Sequence, residues 1–325
     1  MKILVIRFSS LGDVLLATSV IKPLHENGIT IDFLTFTPFD QLFEKDSRVK
    51  NVIKINKKDL KNISAIREFS KSLKGYDLIL DLHSNLRSLL IGYFSGITVV
   101  RYKKNSIKRR LYTKPFLRRF IKDRFNVVDA YSETLSKIGI KSKKIRPEVV
   151  LEKEEIESMR RYLPDNFVVI GAGARYKNKS YPYFQEVSSL FLKKGINVVL
   201  IGSDSDKKFD TKPFPEGVID LRGKLSLRES LSVISVAKVT VSNDSAVAHM
   251  ARAVKTPLLM IYGATHPYFG FYPFEDEGDY ILKGLPCQPC DLHGKKECRF
   301  KNAECLNIDP EVVYLKALNI MKNSL

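Results

Sequence analysis

The chain has 325 residues, of which 44% are hydrophobic, and its formal net charge at neutral pH is +18. This length exceeds what one small core needs and therefore predicts two domains. No apolar run approaches the ~18 residues of a membrane-spanning helix, and the apolar start KILVIRF is too short for a secretory signal. We therefore expect a cytoplasmic protein rather than an integral membrane or secreted one.

Basic residues are concentrated in the first half of the sequence. Residues 1–150 contain 30 Lys and Arg against 14 Asp and Glu, whereas residues 151–325 contain 24 against 22. The densest stretch, 101–124, has eleven basic residues and one acid. Such a segment attracts polyanions, which include nucleic acids, anionic lipid headgroups and phosphorylated substrates, or it is only a solubilising surface.

Apolar strands alternate with amphipathic helices along residues 1–150. The runs with the composition of buried strands are KILVIRF, ITIDFLTF, NVIKI, YDLILDL and ITVVRY. Helices are predicted at 12–26, 60–73 and 86–94 and over FNVVDAYSETLSKIGI. The charged, proline-containing stretch KSKKIRPEVVLEKEE follows and predicts a connector, so we place the domain boundary after residue 150.

The same alternation starts again in residues 151–325. The predicted strands are FVVIGAG, NVVLIGS, GVIDL, KVTVSN and TPLLMIYG. Helices are predicted at 183–194, 227–236 and 244–254 and at the C-terminus. Two runs of this alternation indicate two doubly wound parallel sheets, which bind ligands beyond the carboxyl ends of their strands.

Small-residue turns follow five of the predicted strands. They are SSLGDV, GAGARYKNKSYP, GSDSD, SNDSAVAH and YGATHP. Backbone N–H groups at helix starts bind anions, and the helix dipole favours negative charge there. The turns therefore predict contacts with phosphate, while the missing G-x-G-x-x-G excludes a Rossmann dehydrogenase.

Several segments together resemble one enzyme family. KILVIRFSSLGDVLLATSVIKPL resembles the opening of the ADP-heptose:lipopolysaccharide heptosyltransferases, glycosyltransferase family 9, and KSYP is similar to the family's Lys-x-Trp-Pro. The block SNDSAVAHMA…TP…YG is similar to its strongest signature, and the cysteine-containing tail matches many members. The resemblance implies an α/β GT-B fold, in which two Rossmann-like, doubly wound domains face a central cleft. The domain 1–150 would bind the acceptor and the domain 151–325 the nucleotide-sugar donor.

The resemblance also implies an activity. The protein would be an inverting, metal-independent glycosyltransferase that moves a heptose from ADP-heptose to an anionic lipopolysaccharide inner-core acceptor. A basic first domain suits that acceptor and peripheral contact with the inner face of the cytoplasmic membrane. Two alternatives stay open: a related transferase with another nucleotide sugar or acceptor glycan, and a basic nucleic-acid-binding protein, although no recognised nucleic-acid-binding motif is present.

Two residues receive catalytic roles from the resemblance. Asp13 would be the general base that takes the proton from the acceptor hydroxyl. Lys179 would neutralise the donor's diphosphate as ADP departs. Asp13 also stands at a predicted helix start, where a carboxylate commonly caps the helix and is a weaker base. If Asp13 is the base, Asp13→Asn should remove turnover and leave the melting temperature near that of the wild type.

Further residues of the same turns are predicted to bind the substrates. On the donor side they are Gly173, Arg175, Lys177, Asp244, Ser245, His249, Gly263 and Thr265. On the acceptor side they are Ser9, Ser10, Gly12, Asn85 and Arg87. Asp244 would accept hydrogen bonds from sugar hydroxyls, although the serines beside it could instead cap the next helix, and His249 could be a packed helix histidine. Tyr181 replaces the family's Trp and would still permit stacking.

The chain's only cysteines lie close together near its C-terminal end. They are Cys287, Cys290, Cys298 and Cys305, with the spacing C-x2-C-x7-C-x6-C. Disulfides are disfavoured in cytoplasmic proteins, so a structural zinc site with four thiolates is the sharper interpretation, with an iron–sulfur cluster or four unligated thiols as alternatives. No cofactor is expected in catalysis. Because the loop is far along the chain from Asp13, the cysteines are expected to have no catalytic role.

Overall fold

The computed structural model describes residues 1–121, 124–141 and 144–323, and the chain divides into two compact units. The first unit contains residues 1–104 and 127–150, and the second contains residues 105–126 and 151–325. Small parts of the basic stretch, of the predicted connector and of the chain end lie outside the described residues, at 122–123, 142–143 and 324–325.

The first unit is built on a five-stranded parallel sheet, as predicted. Its strands are β1 (Lys2–Ile6), β2 (Thr30–Phe36), β3 (Val49–Ile55), β4 (Leu78–Asp81) and β5 (Val99–Arg101). Their order is β3-β2-β1-β4-β5, so the chain changes direction across the sheet between β1 and β4. The side chains of β1 are almost all buried, as parallel strands with helices on both faces require.

Among the described residues, the first unit has five α-helices. They are α1 (Leu11–Ala17), α2 (Ile21–Glu26), α3 (Ile63–Ser72), α4 (Leu86–Ser95) and α7 (Val127–Ser136), while α5 (Ser106–Tyr112) and α6 (Pro115–Arg118) belong to the second. The single helix predicted at 12–26 is divided by a 3-10 turn at Thr18–Val20. Pro23 removes the backbone donor that would bond to the carbonyl of Ser19, so the regular helical pattern cannot continue through this turn.

The second unit is built on a six-stranded parallel sheet. Its strands are β6 (Phe167–Gly171), β7 (Asn197–Leu200), β8 (Ile219–Asp220), β9 (Thr240–Asn243), β10 (Leu258–Tyr262) and β11 (Gly278–Leu282). Their order is β11-β10-β9-β6-β7-β8, so the direction changes between β6 and β9. The sequence does not predict β11, because this edge strand is only half-buried and lacks a long apolar run.

The remaining helices of the second unit are α8 (Lys153–Arg160), α9 (Phe184–Leu192), α10 (Leu227–Ser235), α11 (Ala246–Ala253) and α12 (Pro310–Asn323). The prediction of a connector reaching residue 155 is wrong in its last part, because α8 begins at Lys153. This helix buries none of its residues fully, and its highly charged sequence gives only a short apolar face. It is held instead by Glu155, whose carboxylate lies 2.6 Å from Nε of Arg228 in α10.

The basic stretch changes the charge balance between the units. Residues 105–126 contain eight Lys and Arg and one acid, and they group with the second unit although the residue order assigns them to the first domain. The first unit then has 22 basic and 13 acidic residues and the second has 32 and 23, so each carries a net charge of +9. The excess positive charge of residues 1–150 therefore does not distinguish the first unit from the second.

Within the described ranges, the structure has no helix that is both long enough and apolar enough to span a membrane.

Candidate active site

The first unit presents its predicted residues at the point where its sheet changes direction. β1 pairs with β2 on one side and with β4 on the other, and all three are parallel. The loops that follow β1 and β4, at 7–10 and 82–85, therefore leave the same edge of the sheet next to each other. Ligands of doubly wound sheets bind at such a position.

Asp13 is the third residue of α1, and both of its carboxylate oxygens have partners in the first unit. Oδ2 accepts hydrogen bonds from the Ser10 backbone N–H at 3.2 Å and from the Ser10 hydroxyl at 2.8 Å, which forms a capping box. Oδ1 lies 2.8 Å from Nη2 of Arg7. The side chain of Asp13 keeps 22% of its surface exposed. The capping contact that the sequence raised as an alternative is thus present, together with an ion pair.

Arg7 is buried and also donates a hydrogen bond from Nη1 to the carbonyl of Leu82 at 2.6 Å. Burial alone would lower the pKa of Arg7, but the carboxylate of Asp13 raises it well above its ordinary value. The guanidinium is therefore charged at every relevant pH, and Asp13 compensates it. An Asp13→Asn change would leave this buried charge without its carboxylate, so a loss of stability is expected where the sequence predicts none.

His83 follows β4 and packs edge-on against the ring of Phe8, with centroids 5.0 Å apart. Burial, and then the positive charges of Arg7 and Lys104, lower its pKa to about 3. The imidazole is therefore neutral at neutral pH and adds no charge beside Asp13. This agrees with the interpretation of His83 as a structural residue.

The other residues predicted to bind the acceptor either form hydrogen bonds within the protein or lie beside Asp13 in the turn at 9–13. The Asn85 side chain caps α4 by accepting from the Ser88 N–H at 3.0 Å, and Nε of Arg87 donates to the carbonyl of Leu60 at 3.1 Å. Ser9 precedes the helix cap Ser10, and Gly12 is buried within α1. The structure thus brings the turn at 9–13 next to β4, and it gives Asn85 and Arg87 structural roles.

The second unit has a corresponding point between β6 and β9, and Asn243 organises it. Nδ2 of this buried side chain donates to the carbonyls of Ala172 and Gly173 at 2.8 and 3.2 Å, and Oδ1 accepts from the Tyr181 N–H at 3.0 Å. One amide at the end of β9 therefore fixes both ends of the loop that follows β6. That loop carries Lys179.

Lys179 and Asp244 form an ion pair at this point. Nζ of Lys179 lies 2.8 Å from Oδ2 of Asp244, and the two side chains are only 14% and 11% exposed. The hydroxyl of Thr265, in the loop after β10, donates to the same oxygen at 2.8 Å. Three of the predicted residues, from the loops after three adjacent strands, thus meet at one carboxylate.

The ionisation of Asp244 is set by these neighbours. Burial would raise the pKa of its carboxyl, but the charge and hydrogen bond of Lys179, the charge of His249 and the Thr265 hydroxyl together hold that pKa below its ordinary value. Asp244 is therefore a carboxylate at neutral pH, able to accept further hydrogen bonds with Oδ1. The carboxylate of Asp244 holds the Lys179 ammonium in place, and this ammonium could also pair with a phosphate group.

The other predicted donor residues surround this pair in different ways. Gly263 has no room for a side chain, because a Cβ there would meet the Asn178 carbonyl at 2.5 Å, and one at Gly173 would meet Asp206 at 2.1 Å. Ser245 occupies the N-cap position of α11, but its side chain makes no capping hydrogen bond, and its hydroxyl lies 3.1 Å from that of Ser242. His249 is buried in that helix. In the loop after β6, the exposed side chains are those of Arg175 and Lys177.

Tyr181 does not offer a stacking surface. It is buried in the core of the second unit, its ring meets Phe184 edge-on with centroids 5.1 Å apart, and its hydroxyl donates to the carbonyl of Ile308 at 2.8 Å. The expectation that it stacks on a ligand is therefore wrong. Its position in the core fixes the end of the loop that carries Lys179.

The loop at 287–305 packs against the two loops that carry Lys179 and Thr265. The Cys290 N–H donates to the carbonyl of Ala264 at 2.9 Å, and the Gln288 side chain donates to the carbonyl of Gly263. A Cβ built on Gly294 would lie 2.5 Å from Cγ of Lys179. The cysteine loop is thus distant from Lys179 along the chain but adjacent to it in space.

The cysteines as placed do not fit the expected zinc site. Cys305 lies in the hydrophobic core of the second unit. Across the described ranges, no group of three or more His, Cys, Asp or Glu side chains is arranged to hold a metal ion.

Comparison with known proteins identifies the family. The model of glycosyltransferase family 9 (heptosyltransferase) matches residues 66–303. The chain belongs to glycosyltransferase family 9. It is 27% identical over 279 residues to lipopolysaccharide heptosyltransferase 3 of Escherichia coli, an alignment that covers 79% of this chain and 82% of that protein.

Solved structures of this family share the fold. The family 9 glycosyl transferase from Veillonella parvula DSM 2008 has a TM-score of 0.78 at 20% identity, covering 99% of this chain and 97% of that one. The ADP-heptose lipopolysaccharide heptosyltransferase II of E. coli has a TM-score of 0.75 at 20% identity, covering 100% and 99%. The expected GT-B fold class, with two parallel α/β sheets, is confirmed.

The family 9 motifs account for Lys179, Asp244 and Thr265, but several residues that shape the site escaped sequence reasoning. The sequence places Asn243 in the turn SNDSAVAH but does not indicate its contacts, and Gly294 carries no local signal. Arg109 of α5 contacts the rings of Phe269 and Phe271, with its guanidinium carbon 5.8 and 5.3 Å from their centroids. These contacts join distant parts of the chain, and no pattern within one segment indicates them.

Proposed function

We propose that this family 9 glycosyltransferase moves a heptose from ADP-heptose to a lipopolysaccharide inner-core acceptor, with inversion at the anomeric carbon and without a catalytic metal ion. The observation that carries the proposal is the meeting of Lys179, Asp244 and Thr265 at the switch point of the second sheet. The names of its relatives support the sugar: an E. coli relative is a lipopolysaccharide heptosyltransferase, and a structural neighbour is named for ADP-heptose.

The donor's diphosphate would bind at Lys179. Its ammonium, already fixed beside a carboxylate, compensates the negative charge that develops on ADP as the bond to the sugar breaks. Arg175 and Lys177, exposed in the same loop, would add phosphate contacts. Asp244 would accept hydrogen bonds from sugar hydroxyls with Oδ1. Gly173 and Gly263 would contribute backbone groups only, because their Cβ directions are filled by Asp206 and Asn178.

The acceptor hydroxyl would be deprotonated by Asp13 as its oxygen attacks the anomeric carbon. The carboxylate is exposed enough to receive a hydrogen bond from a substrate, and α1 holds it in a fixed orientation. The ion pair with Arg7 and the contacts with Ser10 already engage both of its oxygens. Transfer then requires that the bond to ADP is largely broken before the proton moves. Ser9, Ser10 and Gly12 would line the acceptor's approach. Asn85, the cap of α4, and Arg87, in its first turn, follow the neighbouring strand β4 and would reach the acceptor only by giving up their internal contacts.

Contact with an anionic membrane surface is a further part of the proposal, and residues 105–120 support it. This segment exposes Ile107, Phe116 and Phe120, with 76%, 65% and 67% of their surface accessible. Exposed basic residues alternate with them, at Lys108, Arg110, Lys114 and Arg119. Exposed apolar and basic side chains on one short helical segment are typical of surfaces that bind the headgroup region of anionic bilayers. The contact would therefore belong to the second unit rather than to the first.

A structural zinc at the four cysteines stays a prediction that this arrangement of thiols does not support. Metal analysis of protein purified without chelator tests it. One equivalent of zinc, lost together with thermal stability when a chelator is added, would mean that the four thiolates converge when loaded.

A donor comparison tests the proposed reaction. The purified enzyme is incubated with a lipopolysaccharide core acceptor and, in separate reactions, with ADP-heptose, UDP-sugars and GDP-sugars, and nucleotide release is measured. We expect acceptor-dependent ADP release with ADP-heptose alone. Release from a UDP- or GDP-sugar instead would favour another family 9 transferase, and no release with ADP-heptose would contradict the proposal.

A further inference from the structure

Gly294 lies in the cysteine loop at the side of Lys179. It is buried, its φ is +71°, and a Cβ at this position would stand 2.5 Å from Cγ and 3.0 Å from Cδ of Lys179. The Cγ atom is near the base of the lysine side chain, so rotation of the terminal ammonium alone cannot relieve such a contact. Any side chain at 294 would therefore displace either Lys179 or the loop itself.

The loop is not free to move away, because its backbone is fixed on both sides of Gly294. Before it, the Cys290 N–H bonds to the carbonyl of Ala264 at 2.9 Å. After it, the carbonyl of Lys296 accepts a hydrogen bond from the side chain of Asn178, the residue that precedes Lys179. Within the loop, the Asp291 carboxylate accepts from the N–H groups of His293 and Lys296, each at 2.6 Å. The lysine is thus the group that must yield.

From these contacts we infer that Gly294 is a positioning residue. Because it has no side chain, the cysteine loop packs closely against the aliphatic part of the Lys179 side chain. This packing holds the Lys179 ammonium at Asp244. The inference rests on the proposed function in one respect, namely that the Lys179 ammonium binds the donor's diphosphate. The cysteine loop would thus take part in donor binding, although it lies far from Lys179 along the chain.

The test compares Gly294→Ala with Gly284→Ala. Gly284 also has a φ of +71°, but a Cβ there would meet nothing within 4 Å. Both variants therefore carry the same backbone strain, and only the first adds the contact. Affinity for ADP is measured by calorimetry and thermal stability by melting. We expect Gly294→Ala to bind ADP at least tenfold more weakly than Gly284→Ala. If Lys179→Ala weakens ADP binding, equal ADP affinity of the Gly294→Ala and Gly284→Ala variants would overturn the inference.

Two further measurements separate this inference from the proposed function. In the crystal structure of Gly294→Ala, the Lys179–Asp244 pair should be broken; a pair that stays at 2.8 Å overturns the inference whatever the enzyme binds. In the Lys179→Ala background, Gly294→Ala should cause no further loss of ADP affinity, whereas a full additional loss would mean that it does not act through the lysine. If the pair is broken but neither Gly294→Ala nor Lys179→Ala changes ADP affinity, the donor site proposed at Lys179 is the part that fails.

Discussion

Asp13 combines a helix cap, an ion pair with buried Arg7 and the proposed role of base, and substitution can separate these roles. We expect Asp13→Asn to lower turnover by about 100-fold or more, the usual contribution of a positioned general base. The same change should lower the free energy of unfolding by about 1–3 kcal/mol, because Arg7 stays charged and loses a carboxylate. Steady-state kinetics and denaturant unfolding of one preparation give both quantities.

Asp59 provides the matched control for Asp13→Asn. Its carboxylate also caps a short helix by accepting from a backbone N–H, that of Asn56 at 2.7 Å, but it lies away from the proposed site. Asp59→Asn should cost about 1 kcal/mol at most and keep full turnover. If Asp13→Asn likewise keeps turnover within a few-fold of the wild type, Asp13 is only a structural residue.

Lys179 carries the proposed contact with the diphosphate, so its removal should act on donor binding. We expect Lys179→Ala to weaken ADP binding at least tenfold, as loss of a charge-assisted contact with phosphate does. Lys212 is the control, because its ammonium lies 2.7 Å from Glu186 in a similar ion pair outside the site. Calorimetric titration of both variants decides, and unchanged affinity in Lys179→Ala would remove this lysine from the donor site.

The half-buried imidazole of His83 predicts that stability depends on pH. Its pKa is lowered to about 3 in the folded protein, so between that value and the ordinary 6.5 the unfolded chain binds the proton and the folded chain does not. Stability is therefore lost as the pH falls below 6.5, by up to about 1.4 kcal/mol for each pH unit from this group. His83→Gln should reduce this loss, as measured by urea unfolding at pH 7, 6 and 5. The exposed His25 is the control, since His25→Gln should keep the wild-type slope.

At the scale of elements, Asn243 joins the end of β9 to both ends of the loop after β6. We expect Asn243→Ala to cost about 2–4 kcal/mol of unfolding free energy, because two carbonyls and one N–H lose their partner in a buried place. The loop that carries Lys179 should then lose order, and ADP affinity should fall with it. Asn197→Ala, which removes one exposed hydrogen bond to Asn166, should change neither quantity appreciably. Melting and calorimetry measure both variants, and intact ADP affinity in Asn243→Ala would contradict this role.

The sequence predicts most directly the strands that are buried on both faces. β1, β6 and β10 are short apolar runs because helices cover both sides of each sheet. α8 and β11 were missed because neither buries a regular apolar face. The assignment of 105–126 depends on contacts such as the stacking of Tyr112 on Tyr268, with centroids 3.8 Å apart, which join segments about 150 residues apart along the chain.

In the site, too, local sequence patterns do not indicate contacts between distant segments. Lys179, Asp244 and Thr265 follow separate strands, and family motifs together with the rule for strand ends select them. Their meeting at one carboxylate, the bridging by Asn243 and the approach of Gly294 depend on how distant segments pack. Local sequence patterns therefore predict which residues take part but not which residues hold them in place.

For the whole molecule, the charge balance predicts salt-sensitive binding to anionic bilayers through residues 105–120. We expect the protein to bind vesicles that contain phosphatidylglycerol, and binding to weaken as salt is raised. Phe116→Ser together with Phe120→Ser should reduce vesicle affinity at least tenfold, because two apolar side chains no longer enter the interface. Tyr162→Ser, which removes an aromatic residue that is exposed elsewhere, is the control. Vesicle sedimentation measures all three proteins, and equal binding by all of them would contradict the assignment.

A crystal structure with the donor analogue ADP-2-deoxy-2-fluoro-heptose tests the central claim most directly, because it shows where the nucleotide sugar binds. We predict that the diphosphate lies within about 3 Å of Nζ of Lys179 and that a sugar hydroxyl donates to Asp244. A diphosphate bound away from the loops that follow β6, β9 and β10 would contradict the account.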